Sequence, residues 1–354
     1  MEYKKDLEAL VDIVIKEGGS DIHLAEGRFP IIRVAGSLVP LIKHKVLTKK
    51  DMLGYLDVLL SEQSRDIFTN KRQVDFAFLP ENTKSRFRGN TYIQQGHISI
   101  ALRLIQEYIR NLEELSLPPD LANFARKQQG FFLVVGPSGQ GKSTTLAALV
   151  DMINSERLEH IITIEDPIEY VFKPKKAIID QREVRTDTPD FYTALWGMFR
   201  QDADVVMIGE MRQPETMSTA VTAAETGHLV LSTLHTNSAS QTVERIIDSF
   251  PSSQQNQIRL QIAGSLIGIF SQRLIPKIAG GLIPAYELLI NNTAISNVIR
   301  DKRTHEIDTI IETSSDEGMI DLNRCLVKMV RDGIITVENA YRYSYNPKTL
   351  EKML

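Results

Sequence analysis

Apolar residues change their period several times along this chain, and each change predicts an element. Leu7, Leu10, Val11, Val14 and Ile15 recur at helical spacing over residues 4–16, and Gly18-Gly19 closes that helix. Short apolar runs at residues 21–24, 30–34 and 38–42, divided by Gly and Pro, read as strands. Thr48 suits the cap of a helix running to about Leu60, a shorter helix is expected over residues 61–68, and residues 74–78 alternate as a strand. Phe87, Gly89, Thr91 and Ile93 then alternate with Arg86, Arg88, Asn90 and Tyr92. Ile98, Ile100, Leu102 and Leu104 alternate with Ser99, Ala101 and Arg103. Gln94-Gln95-Gly96-His97 between them is expected to form a four-residue hairpin loop. A hairpin symmetric about that loop sets Arg88 directly opposite Arg103. Like charges across strands are unfavourable unless an anion lies between them. Two solvated surface arginines and an anion clamp both fit this pattern.

Residues 107–119, which include Pro118-Pro119, read as a linker between a domain at 1–106 and another at 120–354. Asp120 is expected to cap a helix through Lys127, with Gly130 stopping it. From there strand and helix patterns alternate. Residues 131–135 are five consecutive apolar positions, Leu146, Ala147, Leu149 and Val150 follow at helical spacing, and further strands read at 160–164, 204–208 and 228–235. That alternation predicts an α/β domain with a mostly parallel sheet and helices on both faces.

The first of these strands leads into Gly136-Pro137-Ser138-Gly139-Gln140-Gly141-Lys142-Ser143-Thr144, the pattern G-x-x-x-x-G-K-S. Glycines there let successive backbone N–H groups point inward at a phosphate, and the helix behind offers its positive N-terminus. Lys142 is placed for the outer phosphates and the Ser143 hydroxyl for a magnesium ion. An ordinary glycine-rich turn lacks this strand-before, helix-after context, so the stretch implies a bound nucleoside triphosphate.

In an open α/β sheet, ligands sit at the carboxyl ends of the strands, which tests every other candidate. Glu165, Asp166 and Glu169 follow the strand at 160–164 and suit water or magnesium positioning, against the alternative of a solvated acidic turn. After the strand at 204–208 stands Gly209, where nucleotide-binding chains carry an Asp, and then Glu210. Glu210 is therefore the acid best placed to polarise attacking water or to hold magnesium through water. The strand at 228–235 has a histidine at each end, about 20 Å apart at ~3.3 Å per residue. His235 passes the strand-end test; His228 fails it, leaving packing or a neighbouring contact as its expected role.

Composition narrows the setting. There are 41 Lys and Arg against 45 Asp and Glu, a net charge of −4, which gives no electrostatic footprint for nucleic acid. The single cysteine, Cys325, excludes an internal disulfide and a cysteine-based zinc site within one chain, and its apolar neighbours Leu322, Leu326 and Met329 make it a core residue. No apolar run follows the N-terminus as a signal would, and stretches such as 262–270 are too short to span a bilayer. A cytoplasmic, reducing setting is expected. No guanine-reading Asn-Lys-x-Asp follows the phosphate loop, which disfavours GTP.

With these residues together, the chain resembles the secretion and pilus-motor ATPases over nearly its whole length. Residues 136–143 fit the Walker A box, 164–169 the aspartate box, 205–210 the Walker B box and 222–236 the histidine box. Within that group it is most similar to the PilT-type twitching-motility retraction ATPases, whose N-terminal signature Gly19-Ser20-Asp21-Ile22-His23-Leu24 resembles. Extension and type II secretion relatives commonly carry a four-cysteine zinc insert, which a single cysteine cannot supply. The C-terminal retraction motif is matched loosely by residues 294–301, with Ser296 where an Arg is expected and Asp301 where a Glu is. The resemblance implies a PAS-like α+β N-terminal domain, a RecA-like ATPase domain that includes the C-terminal helices, and a ring of six subunits. It also implies ATP and Mg2+, an inner-membrane platform protein of the type IV pilus machine as partner, and peripheral membrane association only, at the cytoplasmic face. It favours Arg88 and Arg103 as N-domain arginines that reach the nucleotide, matches Arg200 and Arg273 to arginines near the subunit interface, and points to Glu169 beside Glu165. The implied activity is ATP hydrolysis driving pilus retraction. Pilus assembly or secretion is the alternative, and a nucleic-acid translocase or a non-hydrolysing nucleotide sensor fits the residues less well.

Overall fold

The helical spacing near the N-terminus is realised as α1 (Glu2–Lys16), which buries Leu7, Leu10, Val11 and Val14. It leads into β1 (Gly19–Ala25), β2 (Ile31–Val34) and β3 (Ser37–Pro40). Thr48 starts α2 (Lys49–Leu59) with a full capping box: the Asp51 N–H donates to the Thr48 hydroxyl, and the Thr48 N–H donates to the Asp51 carboxylate. Then come α3 (Glu62–Lys71), β4 (Gln73–Phe78), β5 (Phe87–Gln94) and β6 (His97–Leu104). This computed structural model describes residues 2–34, 36–83, 85–105 and 108–354. The expected boundary at residues 106 and 107 lies outside the described residues.

The six strands pair antiparallel in the order β3-β2-β1-β6-β5-β4. Strand alternation gives the sheet two unlike faces. Ile22, Leu24, Phe87, Ile100 and Leu102 join Leu7, Leu10 and Met52 in the core beneath the helices. The intervening residues, Asp21, His23, Arg88, Tyr92, Ser99 and Arg103 among them, fall on the other face. Arg88 pairs with Arg103 across β5 and β6 as expected. The hairpin is tighter than the four-residue loop expected: Gln94 pairs with His97, and only Gln95 and Gly96 turn the chain, at φ 49° and 81°. Two consecutive positive-φ residues make the turn whose twist matches that of the flanking strands, which is why the shorter loop prevails.

Two compact units emerge, Met1–Tyr108 with Glu169–Val171, and Ile109–Ile168 with Phe172–Leu354. The second runs α4 (Leu121–Ala125), β7 (Gly130–Val135), α5 (Lys142–Glu156), β8 (His160–Glu165), β9 (Ile178–Glu183), α6 (Phe191–Met198), β10 (Val205–Ile208), α7 (Pro214–Glu225) and β11 (Leu229–Leu234). There follow α8 (Ala239–Asp248), α9 (Ser252–Ser265), β12 (Leu266–Pro276), β13 (Leu282–Ile290), α10 (Thr293–Arg300), α11 (Ile307–Thr313), α12 (Leu322–Arg331), α13 (Val337–Tyr343) and α14 (Pro347–Met353). Its sheet has the order β13-β12-β7-β11-β10-β8-β9, parallel except for the edge pair β12 and β13. Every residue of β7 is buried, so both faces of the sheet are covered. Phe131, Leu133 and Val135 enter one core, while Phe132 stacks on Phe124 of α4 with ring centroids 4.4 Å apart.

Three details depart from the hydrophobic pattern. Asp120 itself has helical dihedrals (φ −59°, ψ −23°) and its side chain accepts no capping hydrogen bond, and α4 is shorter than residues 120–127. The apolar stretch 262–270 divides into the end of α9 and the start of β12. The edge strand β9 carries Asp180, Gln181, Arg182 and Glu183, which no apolar period announces. Cys325 is core, buried with Leu322, Leu326, Ile275 and Leu350 where the C-terminal helices meet β12 and β13.

Candidate active site

The parallel strands β7, β8, β10 and β11 end on one edge of the sheet, and the loops leaving them carry the chemistry. Gly136 leaves β7 at φ 144°, and a Cβ there would lie 2.4 Å from the Gln272 carbonyl oxygen, so only glycine fits beside β12. Gly139 and Gly141 follow at φ 75° and 81°, and Gly141 opens α5. Lys142 is buried at 7% exposure. Its ammonium donates to the Gly136 and Pro137 carbonyls, each at 2.8 Å, and lies 3.4 Å from His235 Nδ1.

A residue that sequence reasoning missed secures this loop. Gln272 of β12, 2% exposed, donates through Nε2 to the Gln140 carbonyl at 2.5 Å and accepts from the Thr145 hydroxyl at 2.7 Å. Gln140 returns the contact, its side-chain carbonyl accepting from the Leu274 N–H at 2.7 Å. Backbone and side chain of β12 thus hold the loop and the first turn of α5 together. Gln272 lies far along the chain from the loop, and only the register of β12 on β7 could have announced it.

Glu210 stands two residues beyond β10, with its side chain 19% exposed. Arg212 Nε binds one carboxylate oxygen at 2.8 Å, and His235 Nε2 lies 3.6 Å from the other. Arg212 was not singled out in the sequence, though it orients the acid. His235, at the end of β11, sits between Lys142 and Glu210. Burial, and after it the Lys142 charge, outweigh Glu210 and hold its imidazole below the usual histidine range. A neutral His235 adds no positive charge beside Lys142 and keeps one ring nitrogen free to accept.

Glu165 closes β8, 6% exposed, and accepts from the Thr163 hydroxyl at 2.7 Å and Gln181 Nε2 at 3.2 Å. Ser143 follows Lys142 in the first turn of α5 and is half-buried. No cluster of three or more His, Cys, Asp or Glu among the described residues could hold a metal ion. Magnesium keeps most of its waters and takes one or two protein oxygens plus phosphate; Ser143 and, through water, Glu210 are the groups that would hold it.

The remaining candidates lie elsewhere. His228 precedes β11, its Nδ1 3.0 Å from the Ala223 carbonyl and its ring edge-on to Phe199 at 5.5 Å, so it is not brought to His235. Arg200 is exposed just after α6. Arg273 lies over the Tyr345 ring at 4.8 Å and donates to the Asn237 side chain at 3.0 Å, joining the C-terminal helices to the loop after His235. Glu169 groups with the first unit rather than with the strand-end cluster. In the first unit Arg103 Nε donates to Asp21 Oδ1 at 2.8 Å, a partner 82 residues away; Arg88 is exposed and forms no ion pair among the described residues. The anion that lies beside Arg103 within the fold is Asp21, part of the N-terminal signature.

Comparison with known proteins gives the family. Residues 2–281 match the family model described as type II/IV secretion system protein. The chain is 39% identical over 335 residues to the Type IV pilus retractation ATPase PilT of Pseudomonas aeruginosa, covering 95% of this chain and 97% of that one. It is 38% identical over 322 residues to the Twitching motility protein of Neisseria gonorrhoeae, 91% of this chain and 86% of that one. The crystal structure of the pilus retraction motor PilT with bound ADP superposes with a TM-score of 0.90 at 44% identity, covering 97% of this chain and 98% of that chain. An N-terminal α+β unit followed by a RecA-like ATPase unit is the fold that this chain shares with that motor. The chain belongs to the type II/IV secretion system protein family.

Proposed function

We propose that this chain is an ATP-hydrolysing motor that powers retraction of a type IV pilus. The observation that carries the reading is the convergence of Lys142, Glu210 and His235 at the strand ends, in a chain alike over nearly its whole length to a retraction ATPase. In this reading the phosphate loop binds ATP. Lys142 leaves the Gly136 and Pro137 carbonyls for the outer phosphates, and Ser143 takes the magnesium ion that would neutralise charge there. Glu210, held by Arg212, orients water for in-line attack, and neutral His235 reads the vacated or occupied γ-phosphate position beside Lys142. Glu165 and Glu169 are further acids for the water and metal network.

Domain residues 1–106, proposed as PAS-like, deliver Arg88 and Arg103 to the γ-phosphate, and residues 107–119 serve as the hinge to the RecA-like domain at 120–354. Loss of the γ-phosphate removes the arginines' partner and lets the domains part. In a ring of six, with Arg200 and Arg273 near subunit contacts, such closures turn against a platform protein at the cytoplasmic face of the inner membrane. No helix among the described residues is long and apolar enough to cross a membrane.

The test is pilus behaviour in cells carrying Glu210→Gln beside cells with the gene deleted. Longer or more numerous pili with twitching lost in both strains is the expected outcome. Absent pili would replace retraction by assembly or secretion, and normal pili in both would remove the pilus from the proposal.

A further inference from the structure

The open face of the antiparallel sheet contains a cavity of about 150 Å³. His23, Arg28, Arg33, Leu38, Tyr92 and Ser99 line it. Its construction follows from register. Ser99 of β6 lies opposite Tyr92 of β5 on one side and Ala25 of β1 on the other, and His23 lies opposite Ile31 of β2. Small residues at Ala25 and Ser99 leave the space that longer side chains surround.

Two of the lining residues carry a buried polar atom that has no partner. Ser99 is only 2% exposed, and its hydroxyl makes no hydrogen bond; His23 Nε2 is likewise buried without one. Buried polar groups almost always find partners, so two orphans on residues that line one cavity call for an explanation. The charge of the lining supplies one. Two arginines border the cavity and no carboxylate does. The acids nearest in sequence have other main partners, Asp21 with Arg103 at 2.8 Å and only more distantly with Arg33 Nε at 3.8 Å, and Glu26 with His97 at 2.9 Å. Arg28 forms no ion pair among the described residues, and Arg33 donates to the Gly36 carbonyl at 2.7 Å, leaving further N–H groups on its fork. Burial keeps His23 below the usual histidine range, aided by the charges of Arg33, Arg103 and Arg28 against that of Asp21. A neutral imidazole, two hydroxyls and two guanidinium groups together offer donors to an acceptor that enters.

We infer that this cavity binds a compact oxyanion, a phosphoryl or carboxylate group, held by Arg28, Arg33, Ser99, Tyr92 and His23. Size supports that class. At about 150 Å³ the cavity lies below the roughly 300 Å³ at which pockets for drug-sized ligands begin, which suits a single compact group. The inference stands on the first unit alone and does not depend on the motor reading.

The test uses the full chain saturated with Mg-ADP, so that the phosphate loop is filled, and measures Tm against added inorganic phosphate and, separately, acetate. A saturable rise of about 2–4 °C is expected in the wild type, since a ligand that binds only the folded state stabilises it. Arg28→Ala and Ser99→Ala should each abolish the rise, while Lys142→Ala should retain it. A response to phosphate alone assigns a phosphoryl group; a response to both assigns either oxyanion. No response to either anion overturns the inference. So does a rise that survives Arg28→Ala and Ser99→Ala but vanishes in Lys142→Ala, because the anion would then sit at the phosphate loop. Ser99→Ala without added anion gives an independent reading: removing an unpaired buried hydroxyl should leave Tm unchanged or raise it, and a marked fall would mean that the hydroxyl is already satisfied.

Discussion

The two units place charged residues in opposite ways. In the second, each working side chain stands just past an apolar strand: Lys142 after β7, Glu210 after β10, His235 after β11. Parallel packing then gathers those ends along one edge, so short contiguous motifs converge in space. In the first unit the charged residues sit within strands, on one face of an antiparallel sheet. Arg103 meets its carboxylate partner 82 residues away, on β1. A strand-end site is written locally and assembled by topology; a sheet-face site is written across the whole unit. The first tolerates little change at any single position, and the second is tuned by neighbours whose role no local pattern reveals.

Simultaneous Arg88→Ala and Arg103→Ala replacement tests this contrast with the largest effect. If the sheet face delivers charge to a transition state assembled at the strand ends, turnover should fall by about 10³–10⁵ while nucleotide affinity changes little. Steady-state ATPase rates and ADP affinity, measured on the same preparations, separate the two quantities. Lost binding with normal turnover per bound ATP would reduce the first unit to a structural cover.

That difference also explains how much could be read without coordinates. The order of the elements, the parallel sheet, the phosphate loop and the strand-end acids follow from apolar periods and the residues that end them. The opposed arginines were legible too, because hairpin symmetry survives a change of loop from four residues to two. Three features were not. Gln272 secures the phosphate loop from β12, but it follows a run whose division between α9 and β12 the hydrophobic pattern does not mark. Asp21 reads as an ordinary strand residue until β1 is seen to pair with β6. The polar edge strand β9 is held by its backbone ladder to β8 rather than by an apolar face. In each case the missing information is which strands are neighbours.

Buried acids in the two units sharpen the comparison through pH. Glu287 of β13 is 5% exposed and accepts from the Ala239 N–H at 2.7 Å. Burial dominates, with Asp308 and Asp321 adding to it against that one hydrogen bond, and pushes the carboxyl up to about 7. The folded state therefore holds its proton where the unfolded chain has lost it. Stability should be full below the ordinary value of 4.5 and decline as pH rises toward about 7. Glu287→Gln keeps an acceptor for Ala239 and removes the ionisation, so it should be more stable than wild type at pH 8, by about 1.4 kcal/mol for each unit of raised pKa. The advantage should vanish at acid pH; a constant difference across pH would show that Glu287 is not buried as a neutral acid.

Asp21 should respond with the opposite sign and more weakly. Burial works to raise its carboxyl, but hydrogen bonds from Ser20 and Arg103 and the Arg103 charge outweigh burial and hold it below the ordinary 3.8. Its contribution is present above 3.8 and is lost as pH falls through the lowered folded value. Arg103 is 70% exposed, so solvent screens the pair, and Asp21→Asn should cost about 1 kcal/mol at pH 7. Uncovering Arg88 opposite Arg103 would add to that loss if the two charges repel across the strand pair. The two parts separate in a cycle with Arg88→Ala. If repulsion matters, Asp21→Asn should be milder in the Arg88→Ala background, by Tm at pH 7, than in the wild type. Equal losses in both backgrounds would mean that Asp21 fixes the position of Arg103 without shielding Arg88, and that the face arginines stay far enough apart in the free protein to need no anion between them.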